Sequence, residues 1–105
     1  MNNATHIVAF TGHRTYDGSA NDILMATIRE LYDEGARHFR VGMAEGFDLA
    51  AGEAVVELMQ EHQDIVLETC IPWPSFDMRF SSANRQLYSR IINHATIIHY
   101  SGEEY

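Results

Sequence analysis

The segment Val41-Gly42-Met43-Ala44-Glu45-Gly46-Phe47-Asp48-Leu49-Ala50-Ala51-Gly52-Glu53 gathers the residue types a small acidic ligand needs. An apolar strand pattern stops at Gly42, and a small-residue helix pattern begins just past Gly46. Glycine tolerates positive φ and lets a ligand or another backbone come close. A helix start presents unpaired N–H groups and a partial positive charge, which suit a phosphate or carboxylate. The plainer reading is a tight strand-to-helix turn that needs glycine for packing alone. Glu45 and Asp48 flank the turn, and either carboxylate would suit ribose hydroxyls or general-base work. Asp48 also fits a role in the first turn of the helix, which leaves Glu45 the freer of the two. The spacing is not the G-x-G-x-x-G dinucleotide pattern, and it follows the second strand rather than the first.

Thr11-Gly12-His13-Arg14 closes an earlier strand pattern. It offers a hydroxyl, close backbone approach, an imidazole and a guanidinium suited to bidentate capture of an anion. Arg14 is equally well explained as a surface residue paired with an acid such as Asp17, and His13 as a structural histidine. Pro72-Trp73 and Ser101-Gly102 follow two further strand patterns. Trp73 has two readings of equal weight, a wall on which a base stacks or a cover for a helix end. Cys70 reads as a small core residue on the third strand. The histidines show no metal spacing, so neither a metal nor a cofactor is expected.

These turns must be held by an alternating set of elements. Strands are expected over 6–11, 38–41, 65–71 and 96–100. The first helix carries Leu24, Ile28, Leu31 and Tyr32 on one face, with Ser19 or Asn21 as its cap and Gly35 as its stop. Phe47, Ala51, Ala54, Val55, Leu58 and Met59 mark the second, with Asp48 in its first turn and His62 near its end. The third carries Phe76, Phe80, Ala83, Leu87 and Ile91, with Ser75 as its cap. This β-α-β-α-β-α-β order implies an α/β fold with a parallel sheet and right-handed crossovers. Ligands of such sheets bind outside the carboxyl ends of the strands, where all four turns fall.

At 105 residues the chain is expected to form one domain, residues 1–105. Its formal charge of −8, from 15 acidic and 7 basic residues, argues against a nucleic-acid partner. Local basic spots occur around Arg37 to Arg40 and around Arg79, Arg85 and Arg90. The lone Cys70 excludes an internal disulfide and fits a reducing compartment. No signal-peptide pattern or long apolar run is present, so a cytoplasmic protein without a membrane partner is expected.

The strand-Thr-Gly-His-Arg start, the Gly-Met-Ala-x-Gly-x-Asp-Leu-x-Ala-x-Glu turn and helix, and the Ile-Pro-Trp strand end resemble the YpsA-like branch of the SLOG superfamily. That superfamily is named for the DprA/Smf and LOG proteins. The likeness runs from His6 to Tyr105. Thr11, Gly12 and Arg14 match the first motif, and Gly42, Ala44, Gly46, Asp48 and Glu53 the second. The resemblance implies a three-layer Rossmann-like parallel sheet of four or more strands with flanking helices. It also implies a small nucleotide or nucleotide-derived ligand-binding module. The alternative is a nucleotide N-glycosidase or phosphoribohydrolase, its site completed in an oligomer, in which Glu45 or Asp48 stabilises the oxocarbenium-like state or activates water. The family pattern continues past the fourth strand to a Gly-Gly-x-x-Gly-Thr-type phosphate loop, which this chain does not reach, so little hydrolysis is expected of the monomer. The expected ligand contacts are Thr11, Gly12, His13, Arg14, Gly42, Met43, Ala44, Glu45, Gly46, Asp48, Pro72, Trp73, Ser101 and Gly102.

If the family's strand order holds, with the first strand beside the fourth, residues 96–100 form an exposed apolar edge. Such an edge invites pairing. A homodimer is therefore expected, using the fourth strand, the third helix or both.

Overall fold

A computed structural model of the chain describes residues 7–10 and 18–100. Four strands, β1 (Ile7–Phe10), β2 (His38–Gly42), β3 (Val66–Ile71) and β4 (Ile97–Tyr100), alternate with three helices. The helices are α1 (Asn21–Asp33), α2 (Phe47–Met59) and α3 (Ser82–His94), and a short 3-10 helix, Phe76–Arg79, precedes α3. All neighbouring strands pair in parallel, in the order β1-β2-β3-β4.

Strand period decides which face is covered. Phe39 and Val41 of β2 and Leu67, Thr69 and Ile71 of β3 are buried, and Val8 and Phe10 of β1 pack against the same core. Thr69 is the one polar residue in this buried set, and its hydroxyl donates to the Ile97 carbonyl at 3.4 Å. All three helices contribute to this one core: Leu24 and Ile28 from α1, Val55 and Leu58 from α2, and Ile91 from α3. The α/β class, the parallel sheet and the flanking helices are those the sequence implied. The described elements make two layers, and a third layer is not among them. When each right-handed crossover adds the next strand on the same side, every helix falls on one face.

The other face carries an ion cluster. His38 Nε2 lies 2.8 Å from Glu68 Oε1. Arg40 Nε lies 3.3 Å from the same oxygen. The His38 hydrogen bond, opposed by burial and helped by Arg40, holds the Glu68 carboxyl below its usual range. Cys70 stands on this face rather than in the core, half-buried beside Glu68, because residues 69 and 71 take the buried side of the strand. Burial first, with the Glu68 charge behind it, pushes its thiol pKa up.

Strand order departs from the expected one. β1 lies beside β2, and β4 beside β3, so the two strands sit at opposite edges. β4 is nonetheless an edge, with Ile97, Ile98 and Tyr100 exposed. Thr96 anchors its start: its backbone N–H donates to the Leu67 carbonyl at 2.8 Å, and its hydroxyl accepts from the Leu67 N–H at 3.1 Å.

Helix ends follow local chemistry. Gly35 adopts φ +112°, and the N–H groups of Gly35 and Ala36 reach back to the carbonyls of Tyr32 and Leu31. This paired arrangement needs a left-handed residue, which glycine supplies without strain. The cap position of α1 is Ala20, which lies between the two residues expected to cap it, Ser19 and Asn21. α3 begins at Ser82, where Ser81 Oγ accepts from the Asn84 N–H at 3.2 Å. Ser81, not Ser75, is therefore its cap. Phe76 and Phe80 belong to the preceding 3-10 segment and its end, and their spacing of four imitates a helical face.

α2 lies between α1 and α3 and packs on both. Small residues let it fit. A Cβ at Gly52 would lie 2.8 Å from Cδ1 and 3.2 Å from Cγ2 of Ile91, which is fully buried. Gly52→Val should destabilise by roughly 1–3 kcal/mol through overpacking. Ile91→Ala should cost about 2–5 kcal/mol by leaving a cavity. The double variant should lose less than the sum, since each change accommodates the other. Urea denaturation of the four proteins measures this, and simple additivity would show that the two sites do not touch.

Candidate functional site

The β2–α2 turn is built around two glycines with different duties. A Cβ at Gly42 would stand 2.7 Å from Asp48 Oδ2, so a larger residue there would push the Asp48 carboxylate aside. Gly46 has φ 89° and ψ −129°, a conformation that residues with a Cβ scarcely adopt. It precedes the first helical residue, and its carbonyl accepts from the Ala50 N–H at 3.1 Å. Gly42 thus serves close packing, and Gly46 serves the reversal of the chain.

Asp48 sits in the first turn of α2. Burial raises its pKa, and a backbone hydrogen bond from Ala44 pulls the other way. Oδ1 is enclosed and has no hydrogen-bond partner among the described residues. Met43, expected at the ligand, is 1% exposed and belongs to the core.

Glu45 is not free, as the sequence suggested. Its Oε2 accepts from the Asn84 side chain at 2.7 Å and from the Ser81 N–H at 3.3 Å. The turn is thereby tied to the start of α3. Neither of these bonds uses Oε1.

Beside this tie lies a cleft of about 460 Å³. Ala44 and Glu45 enter it from the β2–α2 turn, and Trp73 enters it from the segment after β3. Phe76, Arg79 and Phe80 also line it. The rings form a ladder: Trp73 meets Phe76 at 5.3 Å, Phe76 meets Phe80 at 5.6 Å, and Phe80 meets Tyr88 at 5.7 Å, all close to perpendicular. Edge-to-face pairs of this kind hold aromatic walls in fixed orientation. Burial pushes the Tyr88 phenol up to about 12, with the Asp77 and Tyr100 charges adding to it. Trp73 thus packs edge-on against Phe76 and lines the cleft.

Of the expected contacts, Ala44, Glu45 and Trp73 are brought together in one cleft. Gly42, Gly46 and Asp48 build the turn behind it, while Pro72, directly before Trp73, is half-buried. Thr11, Gly12, His13, Arg14, Ser101 and Gly102 lie outside the described residues. Sequence reasoning missed Phe76 and Phe80 by assigning them to a helix face, and it noted Arg79 only as part of a basic spot. The signal was the dipeptide Ser81-Ser82 ahead of Asn84, a later capping position than Ser75. A larger shallow depression of about 610 Å³ lies along α3, lined by residues such as Gln86, Ser89 and Asn93. No expected contact lines it. Among the described residues no group of three or more His, Cys, Asp or Glu side chains is gathered as a metal ion requires. Nor is any helix among them long and apolar enough to cross a membrane.

A parallel α/β sheet with a glycine-built turn and an aromatic cleft at its carboxyl edge defines the class. The chain belongs to the YspA SLOG family, whose family model matches residues 8–105. No curated protein matches it.

Two measurements test the turn. Gly46→Ala should destabilise by roughly 1–3 kcal/mol, the scale of a residue forced into a glycine-only conformation. The second concerns pH. A raised pKa means the folded state favours neutral Asp48, so this group adds stability below its ordinary value of 3.8 and loses it as pH rises through the raised value. Asp48→Asn removes that dependence. Its stability relative to the unaltered protein should improve between about pH 3 and pH 7 in urea titrations. Parallel curves would show that Asp48 ionises as freely in the folded state as in the unfolded chain.

Proposed function

We propose that this chain binds a nucleotide or nucleotide-derived small molecule in the cleft beside the β2–α2 turn. The observation that carries the reading is the convergence of Glu45 and Trp73, from two separate strand ends, on one cleft with an aromatic wall. Family membership supports it, as does the position at the carboxyl edge of a parallel sheet. The chemistry is matched. A planar base gains from lying against an aromatic wall. Glu45 keeps Oε1 for a ribose hydroxyl or a base amine while Oε2 is held by α3.

Binding ranks ahead of N-glycoside hydrolysis on geometry. Glu45 already accepts two hydrogen bonds at Oε2, which commits that oxygen to the start of α3. Asp48 is set against Gly42 in the turn and is not among the residues lining the cleft.

Calorimetry with a panel of nucleosides and nucleotides tests the proposal. Trp73→Ala should weaken binding by about 1–3 kcal/mol, the usual worth of stacking one base. Equal affinity in the variant would remove the cleft from consideration. Chromatography of nucleoside monophosphates incubated with the protein should show no free base, and rapid release dependent on Glu45 would promote the hydrolase reading.

A further inference from the structure

We propose that Arg79 is the anion-binding residue of this cleft, so that the site takes nucleoside 5′-monophosphates in preference to the uncharged nucleosides. The proposal rests on the reading of the cleft above and adds the ligand's charge to it.

The argument begins with the arginines as a set. The chain has no lysine, and its seven basic residues are all arginine. Six of these lie in the described residues, and five of the six have a carboxylate within 4.0 Å. Arg29 pairs with Glu61, Arg37 with Asp64, Arg40 with Glu68, Arg85 with Asp77 and Arg90 with Glu57. Arg79 has no such partner among the described residues. In a chain with 15 acidic residues against 7 basic ones, acids are plentiful enough to occupy every arginine. The one left over is also the one that lines the cleft.

Its surroundings fit an anion. Trp73, Phe76 and Phe80 stand on the same cleft. Glu45 lines the cleft as well, yet it does not pair with Arg79. Its Oε2 is turned to Ser81 and Asn84 instead. The cleft thus presents a cation, an aromatic wall and a carboxylate that are separately available. A nucleoside monophosphate offers the matching set: phosphate, planar base, and hydroxyl or amine donors. Arginine presents a planar fork to two phosphate oxygens at once, which lysine cannot do.

Calorimetry with adenosine, guanosine and their 5′-monophosphates separates the charge from the cleft. The unaltered protein should bind each monophosphate more tightly than its nucleoside. Arg79→Gln should weaken the monophosphates by about tenfold or more and leave the nucleosides unchanged, the scale of one charge-assisted hydrogen bond. Arg79→Lys should fall between them, since it keeps the charge and loses the fork. Arg85→Gln, which removes an arginine paired on α3, should bind like the unaltered protein. Arg79 is exposed, so circular dichroism should show all three variants folded. Equal binding of nucleoside and monophosphate, or an unchanged Arg79→Gln, overturns the proposal. The reading of the cleft then stands if Trp73→Ala still weakens both classes. Binding of none of the four compounds by the unaltered protein overturns both.

Discussion

A Cβ on residue 42 would lie 2.7 Å from a carboxylate oxygen of Asp48, so glycine there leaves that carboxylate its place against the end of β2. With glycine there, Asp48 drops against the end of β2 and α2 can start immediately behind the strand. Gly46, at φ 89°, turns the chain in the few residues available. The same turn projects Glu45 outward to Ser81 and Asn84, where it accepts two hydrogen bonds. A packing constraint at one glycine thus reaches the start of α3 and frames the cleft. A half-buried carboxylate with one unpartnered oxygen is the thermodynamic cost of that arrangement. Such costs are characteristic of turns shaped for something other than stability.

α2 has the most demanding environment of the three helices. It touches α1 on one side, α3 on the other and β2 beneath. A helix enclosed this way is apolar on most of its circumference. Ala51, Gly52, Ala54, Val55 and Val56 meet that need with small volumes. The opposite sheet face is polar at its centre, with Glu68 between His38 and Arg40. Four further ion pairs on arginine lie at the periphery, though exposed pairs each contribute little. Stability therefore rests on one core on one side of the sheet, and the pairs mainly fix which acid holds which arginine.

Much of this could be read from residue order. The apolar residues from Phe47 to Met59 marked the second helix, which ends at Met59 rather than near His62, and Gly35 stopped the first helix as expected. The β2–α2 turn and Trp73 were legible because glycine, carboxylate and tryptophan at strand ends carry local meaning. The start of α3 was not, because Phe76 and Phe80 have helical spacing in a segment that forms a 3-10 turn. Strand order was not legible either, since apolar period says which face is buried and nothing about which strand lies beside which. Cys70 shows the same limit at a single residue. An apolar context placed it in the core, but only the parity of β3 shows that Thr69 and Ile71 face inward. Arg79 stands out only by exclusion. Arg29, Arg37 and Arg90 meet their acids across separations of 32, 27 and 33 residues, so the fold must be known before the unpaired arginine can be found.

The charge balance gives that arginine a particular kind of influence. A net charge of −8 opposes the approach of any anion from a distance. That opposition fades beyond about 8 Å at physiological ionic strength. Inside the cleft the balance is set by nearby groups, and the paired arginines elsewhere contribute little because each is offset by its own acid. On the proposed reading, Arg79 would act as a contact charge, effective only once a ligand has placed its ring against the Trp73 wall. An aromatic cleft holding Arg79, the one arginine without an ion pair among the described residues, would then favour anions that also carry a planar group over simple inorganic anions. The selectivity comes from requiring the two contacts together, and the aromatic ladder from Trp73 to Tyr88 keeps their separation fixed.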